Sequence, residues 1–333
     1  MKLIVPMAGR GTRLRPHTHV TPKPLLPVAG RTMVERIVET FASVLPRGIE
    51  EAVFILGPDF GDAVRDELAA ICERFGIRPS FAVQDRARGT AHAVAQACDA
   101  LAGECVVVFA DTLFYMDETP DLDADAVIWV KHVEDPRRFG VVVKDETGRI
   151  TDFVEKPEQP ISNEAIIGIY YVREAAMLRR EIEYLLDHNV TGVGGEFQLT
   201  DALDRMLKAG LTFKTASVSE WLDCGTIPAL RETSAIVIAK DGEHEKLGEV
   251  AGDVEITEPV YIGAGARVRA SALGPNVVVE AGATVEGSTL RDTTVFGGAT
   301  VTDSRLDASF VGHDAVVRGF HGTLNIGDHA TVG

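Results

Sequence analysis

The sequence predicts an α/β protein, a mostly parallel mixed sheet with flanking helices, followed by a short left-handed parallel β-helix. Two patterns carry this prediction. From Leu3 to Phe109, short apolar runs alternate with stretches of helical periodicity, as expected for parallel strands joined by crossover helices. From Ile262 onward an aliphatic residue returns every five or six positions among glycines, alanines and short polar residues, the period of a three-sided parallel coil. With 333 residues, 45% hydrophobic and 25% charged, the chain has room for two domains with sizeable cores, expected at 1–240 and 251–333.

The first strand, Leu3-Ile4-Val5, opens into a run from Pro6 through Met7, Ala8, Gly9, Arg10, Gly11, Thr12, Arg13, Leu14 and Arg15 to Pro16, then Pro22-Lys23-Pro24-Leu25-Leu26-Pro27. Gly9 and Gly11 lack Cβ atoms and let backbone N–H groups turn toward an anion. Arg13 and Arg15 offer guanidinium forks, and Lys23 is a compact charge between two prolines that fix φ. Together these describe a polyphosphate cradle. It is neither a P-loop, which needs Lys-Ser/Thr after its last glycine, nor a dinucleotide fingerprint, which needs a third glycine.

Next come a helix carrying Met33, Val34, Ile37, Val38, Phe41 and Leu45, and a strand from Ala52 to Leu56. A helix with Val64, Leu68, Ile71 and Phe75 follows, then a strand at Phe81-Ala82-Val83, a helix from about Thr90 to Leu101, and a strand from Val106 to Phe109. Open sheets bind ligands at the carboxyl ends of their strands, and both the glycine loop and Asp111 follow such ends, so they are expected to face one crevice. Asp111 there reads as a magnesium ligand, with a turn cap as the alternative. Gln84 can donate to and accept from a base edge, and Gly89 permits close approach. His92, on the helix after that turn, reads as a packing or surface residue.

The middle of the chain reads as strands at Phe139-Gly140-Val141-Val142-Val143, Ile150 to Pro157, and Ala165 to Val172. Gly194 to Asp201 opens a helix and brings Glu196 near its N-terminus. Trp221-Leu222-Asp223-Cys224-Gly225-Thr226 sets a second carboxylate before a glycine turn, and Asp223 reads alternatively as the N-cap of a helix over 226–239.

Gly-Arg-Gly-Thr-Arg-Leu-Arg-Pro followed by Pro-Lys-Pro-Leu-Leu-Pro-Val resembles the signature of sugar-1-phosphate nucleotidyltransferases, and the likeness extends over roughly residues 1 to 235. The resemblance implies a Rossmann-like nucleotidyltransferase sheet and the assignment of Ala8, Gly9, Gly11, Thr12, Gln84, Gly89 and Thr90 to the nucleotide. It gives Gly140, Glu155 and Glu196 to the sugar, Arg13, Lys23 and Lys156 to catalysis, and Asp111 and Asp223 to Mg²⁺. Gln84 with Gly89-Thr90 resembles the base-reading loop of pyrimidine-specific members. Thymidylyltransferases usually have an arginine where this chain has Gly194, and Gln-Leu-Thr-Asp resembles bacterial glucose-1-phosphate uridylyltransferases, so dTTP and UTP both stay open.

In the carboxyl-terminal repeat the stacking residues are Ile262, Val268, Leu273, Val279, Val285, Leu290, Val295, Val301, Leu306, Val311 and Val317. Interaction or homo-oligomerisation is the default use of such a coil. His313, His321 and His329 do not make it an acetyltransferase, because only about four or five coils fit and acyl-CoA sites of this type usually lie between subunits of longer helices. The ending Leu324-Asn325-Ile326-Gly327-Asp328-His329 resembles the tail of long-form glucose-1-phosphate thymidylyltransferases.

Thirty-three basic against 50 acidic residues give a net charge of −17, which disfavours nucleic acid and anionic membrane as partners. That acidity suits a high-salt environment as well as an ordinary cytoplasmic enzyme. With no leader and no apolar run of about 18 residues, a cytoplasmic location is expected. Cys72, Cys98, Cys105 and Cys224 show no CxxC pairing, so neither a disulfide nor zinc is expected.

The chemistry implied is in-line attack of a sugar-1-phosphate oxygen on the α-phosphorus of dTTP or UTP, with glucose-1-phosphate the best-fitting sugar. Two alternatives are a mannose-1-phosphate guanylyltransferase, against which Gln84 argues, and a catalytically silent regulatory subunit, against which the cations and carboxylates argue.

Overall fold

The computed structural model describes residues 1–9, 11–159, 161–241 and 247–333, so Arg10 of the glycine-rich run lies outside the described residues. The chain divides into two units. Met1–Gly9, Ile37–Ala110 and Phe114–Trp221 form one; Arg10–Arg36, Asp111–Leu113 and Leu222–Gly333 form the other.

The first unit is built on a nine-stranded mixed sheet. Its strands are β1 (Lys2–Pro6), β2 (Glu51–Leu56), β3 (Arg78–Val83), β4 (Cys105–Val108), β5 (Ala126–His132), β6 (Gly140–Lys144), β7 (Ile150–Glu155), β8 (Glu164–Val172) and β9 (Phe213–Ser217). Their order is β7-β6-β8-β4-β1-β2-β3, with β5 also on β8 and β9 on β5. β1 runs parallel to both neighbours, Ile4 standing opposite Val53 on one side and Val107 on the other. Leu3, Ile4 and Val5 are fully buried because helices cover both faces, which is why this strand is apolar without alternation. β8 is antiparallel to β4, β5 and β6 and turns the sheet mixed.

Helices α1 (Met33–Val44), α2 (Asp62–Arg74), α3 (Thr90–Ala95), α4 (Ala175–Asp187) and α5 (Leu199–Lys208) follow the apolar spacing of the sequence. Val94, Leu178, Ile182, Leu185, Leu203 and Met206 pack with Ile4 and Val107 into one core, where each large aliphatic side chain contributes about 1.5–3 kcal/mol. One expectation is corrected here. The helix expected to reach Leu101 stops at Ala95: hydrogen bonds tighten at Gln96 and Ala97, and Cys98 turns to φ 45°, outside the helical region. The middle strands β6, β7 and β8 continue the main sheet.

In the second unit, three parallel sheets wind into a left-handed β-helix, six-, five- and five-stranded among the described residues. Each strand pairs with the equivalent strand one coil later, Val268 with Val285, Leu290 with Leu306, and Val295 with Val311. The repeat residues from Ile262 to Val317 are all at most 1% exposed. They stack as one aliphatic column that no single coil could bury alone. Helix α6 (Ile227–Lys240) belongs here too. Its N-cap is Thr226, whose hydroxyl accepts from Ala229 N at 3.4 Å, and not Asp223.

Among the described residues no helix is long and apolar enough to cross a membrane.

Candidate active site

The sequence-predicted residues fall into two sets, one in each unit. In the second unit, Arg13, Lys23, Asp111 and Asp223 come together. Lys23 sits in a single 3₁₀ turn, Lys23–Leu25, and is 8% exposed. Its Nζ donates to the Asp111 backbone oxygen at 2.6 Å. Burial lowers the Lys23 pKa, while Asp111, Cys224 and Asp223 resist that shift and Arg13 adds to it. Water reaches Asp111, yet enough protein surrounds its carboxyl that desolvation raises its pKa; Asp223 raises it further and Lys23 and Arg13 oppose. Asp223 Oδ1 accepts from Gly225 N at 2.7 Å, closing a tight turn. A Cβ on Gly225 would lie 3.2 Å from Arg13 Nη2, so the missing side chain makes room for the guanidinium beside Asp223.

Gly11 takes φ 58°, and a Cβ there would come within 2.9 Å of Lys23 Cβ. Glycine is thus required by the packing of Lys23. Gly9 has open space around it, and nothing in its packing demands glycine. Thr12 begins the 3₁₀ turn Thr12–Leu14 that carries Arg13, and the Thr18 hydroxyl donates to Gly11 O at 2.8 Å.

In the first unit, Ala8 and Gly9 follow the carboxyl end of β1, and Gln84 follows that of β3. Gln84 is 7% exposed, and its Nε2 faces His92 Nδ1 at 3.1 Å and Gly89 O at 3.5 Å. Burial, with Arg88 nearby, lowers the His92 pKa, so the neutral ring accepts from the amide. Gly89 takes φ 114° where the chain passes Phe197: Phe197 N donates to Arg88 O and Ala91 N to Phe197 O, both at 2.9 Å. The Thr90 hydroxyl accepts from Leu199 N at 2.8 Å and so caps the start of α5. Glu196, exposed, accepts from Gln198 Nε2 at 3.4 Å. Gly194 has φ 76°, a left-handed backbone that favours glycine.

Glu155 Oε2 lies against Gly140, 2.8 Å from where a Cβ would stand. Burial raises the Glu155 pKa, Lys156 opposes and Asp201 reinforces the rise. Lys156, about half exposed, sits 3.8 Å from Glu155 Oε1.

The sequence pattern of the family described as Nucleotidyl transferase matches residues 2–240. The chain belongs to that family. It is 27% identical over 362 residues to a glucose-1-phosphate thymidylyltransferase of Streptomyces griseus, covering 99% of this chain and 98% of that one. It is 29% identical over 361 residues to the low-salt glycan biosynthesis nucleotidyltransferase Agl11 of Haloferax volcanii, covering 100% and 98%. Among solved structures it is similar to a Bacillus anthracis protein described as a glucose-1-phosphate thymidylyltransferase and solved with sucrose. That likeness has a TM-score of 0.60 at 28% identity and covers 71% of this chain and 94% of that one. This chain is therefore an enzyme of the sugar-1-phosphate nucleotidyltransferase family.

His92, read from the sequence as a packing or surface residue, is partly buried and faces the Gln84 amide, a contact eight residues away that leaves no periodic signal. For a divalent cation of the nucleotidyltransferase, the donor set fits magnesium. No group of three or more His, Cys, Asp or Glu that could hold a metal is found among the described residues, and Mg²⁺ needs only one or two carboxylates plus substrate phosphates.

Gly89→Ala is expected to destabilise the nucleotidyltransferase by about 1–3 kcal/mol, because its Cβ would press into the Phe197 backbone at a φ that alanine avoids. Thermal unfolding checks this, and an unchanged melting temperature contradicts it.

Proposed function

We propose that this nucleotidyltransferase transfers a nucleotidyl group from dTTP or UTP to a hexose-1-phosphate, with glucose-1-phosphate the best fit, releasing pyrophosphate. The catalytic domain is assigned to 1–240 and the β-helix domain to 251–333. The observation that carries the base assignment is the Gln84 amide. With Nε2 directed to His92 and Gly89, Oε1 is left to accept the ring N–H of thymine or uracil. Cytosine and adenine present a bare ring nitrogen at the corresponding position and leave that oxygen unpaired, whereas guanine shares the ring N–H and is set apart by the larger purine that the loop would have to admit. The names of the thymidylyltransferase relatives agree with this reading.

In the reaction, a sugar-1-phosphate oxygen forms a bond to the α-phosphorus as the bond from that phosphorus to pyrophosphate breaks. The attacking phosphate is already anionic, so the protein positions groups and neutralises charge and needs no side-chain nucleophile. Arg13 meets charge developing on the leaving pyrophosphate, Lys23 the α-phosphate, and Lys156 the incoming sugar phosphate. Ala8, Gly9, Gly11, Thr12, Gly89 and Thr90 line the nucleotide, and Gly140, Glu155 and Glu196 hold the sugar. Asp111 and Asp223 would hold Mg²⁺, which when bound neutralises the reacting phosphates. The enzyme then works in the cytoplasm, as a homo-oligomer assembled through its β-helix.

Replacing Gln84 by Ala is expected to cost about 1–3 kcal/mol in pyrimidine binding, roughly 5- to 150-fold, and to erase the preference for dTTP or UTP while sparing triphosphate affinity. Steady-state constants for the four nucleotides measure this. A variant that keeps the wild-type preference removes Gln84 from base reading.

A further inference from the structure

The segment Arg10–Arg36, which carries Arg13 and Lys23, is fastened to the β-helix at two points inside the second unit. At the first, His17 is 1% exposed, set edge-on to Phe296 with ring centroids 5.3 Å apart and tilted against Phe310 at 5.6 Å. Its Nε2 lies 2.7 Å from Asn325 Oδ1. Burial lowers the His17 pKa, with His313 acting the same way and Asn325 and Asp328 opposing, so the ring is neutral and Nε2–H donates. Its Nδ1 is buried without a hydrogen-bond partner among the described residues, an arrangement for holding a position and not for exchanging protons. Pro16 rests on Gly327, where a Cβ would approach to 3.0 Å.

At the second point, Gly30 N donates to Glu280 Oε1 and Oε2 at 3.0 and 3.2 Å, and the Tyr261 ring occupies the space beside Gly30 where a side chain would stand. Lys23 lies between these fastenings, and Arg13 lies four residues before His17. A repeat serving assembly alone would have no use for a buried aromatic seat for a histidine 308 residues away from its hydrogen-bond partner.

We infer that the β-helix is a working part of the triphosphate site. His17 is the positioning residue that sets Arg13 and Lys23 through Phe296, Phe310 and Asn325. The inference rests on the proposed assignment of Arg13 and Lys23 to the nucleotide triphosphate.

The test is Asn325→Ala in the full chain, a change at an exposed residue that leaves the aliphatic column intact, with Asn325→Asp as the variant that keeps the acceptor oxygen. Four quantities are read: KM for dTTP or UTP, KM for glucose-1-phosphate, melting temperature, and amide hydrogen exchange over residues 11–28. With Asn325→Ala the nucleotide KM should rise about fivefold or more while the sugar phosphate KM stays within about twofold, exchange over 11–28 should quicken, and Asn325→Asp should restore both. Loss of kcat with both KM values unchanged, as from general destabilisation, overturns the inference, as does unchanged exchange. Faster exchange with an unmoved nucleotide KM also overturns it, and locates the failure in the assignment of Arg13 and Lys23.

Discussion

Asp111→Asn or Asp223→Asn is expected to lower turnover by about 10²-fold or more and leave the fold intact. Each change removes one negative charge from a two-carboxylate set whose electrostatics are already coupled, Asp223 raising the Asp111 pKa. The sign of that shift bears on stability as well. A folded-state pKa above the ordinary aspartate value means that the folded protein disfavours the ionised carboxyl, a penalty complete once pH exceeds the folded pKa. Asn at position 111 lifts that penalty, so its melting temperature should equal or exceed the wild-type value at neutral pH while activity falls. Magnesium-dependent turnover retained in both variants would remove these residues from the metal.

Lys23→Met is expected to cost about 10²- to 10³-fold in turnover, the scale of losing one charged donor aimed at a reacting phosphate. The ammonium is nearly buried, and it offsets the charge of Asp111 as well as bonding its backbone oxygen. Lys23→Arg should rescue little despite keeping the charge. The Lys23 stem already fills the space beside Gly11, and the head is a compact ammonium bonded to the Asp111 backbone oxygen, a point contact that a planar guanidinium on a longer stem does not reproduce. Kinetics for both variants check this, and a near-wild-type Lys23→Arg would show that charge alone suffices.

The strand-helix alternation and the β-helix were legible because both are written in local apolar spacing. Leu3 to Val5 and the column from Ile262 to Val317 are buried as their periodicity requires. Arg13, Lys23, Asp111 and Asp223 stood out in the sequence by residue type and by their places at strand ends and turns, and the structure brings the four together. The end of α3 was not legible, since a run of small apolar residues continues past Ala95 and the turn at Cys98 leaves the pattern undisturbed. Nor was the capping of α6 by Thr226, because Asp223 and Thr226 are both good cap residues and only the turn at Gly225 separates their roles. His17 stood in an unremarkable Pro-His-Thr-His stretch. Its partners Phe296, Phe310 and Asn325 lie near the other end of the chain, and no local period registers contacts of that range.

Pyrophosphate release with dTTP, UTP, GTP and ATP against a panel of sugar-1-phosphates in the presence of Mg²⁺ tests the substrate pair. With glucose-1-phosphate, dTTP or UTP should exceed GTP and ATP by at least about tenfold in kcat/KM. Preference for GTP with mannose-1-phosphate would contradict it and put the guanylyltransferase reading in its place.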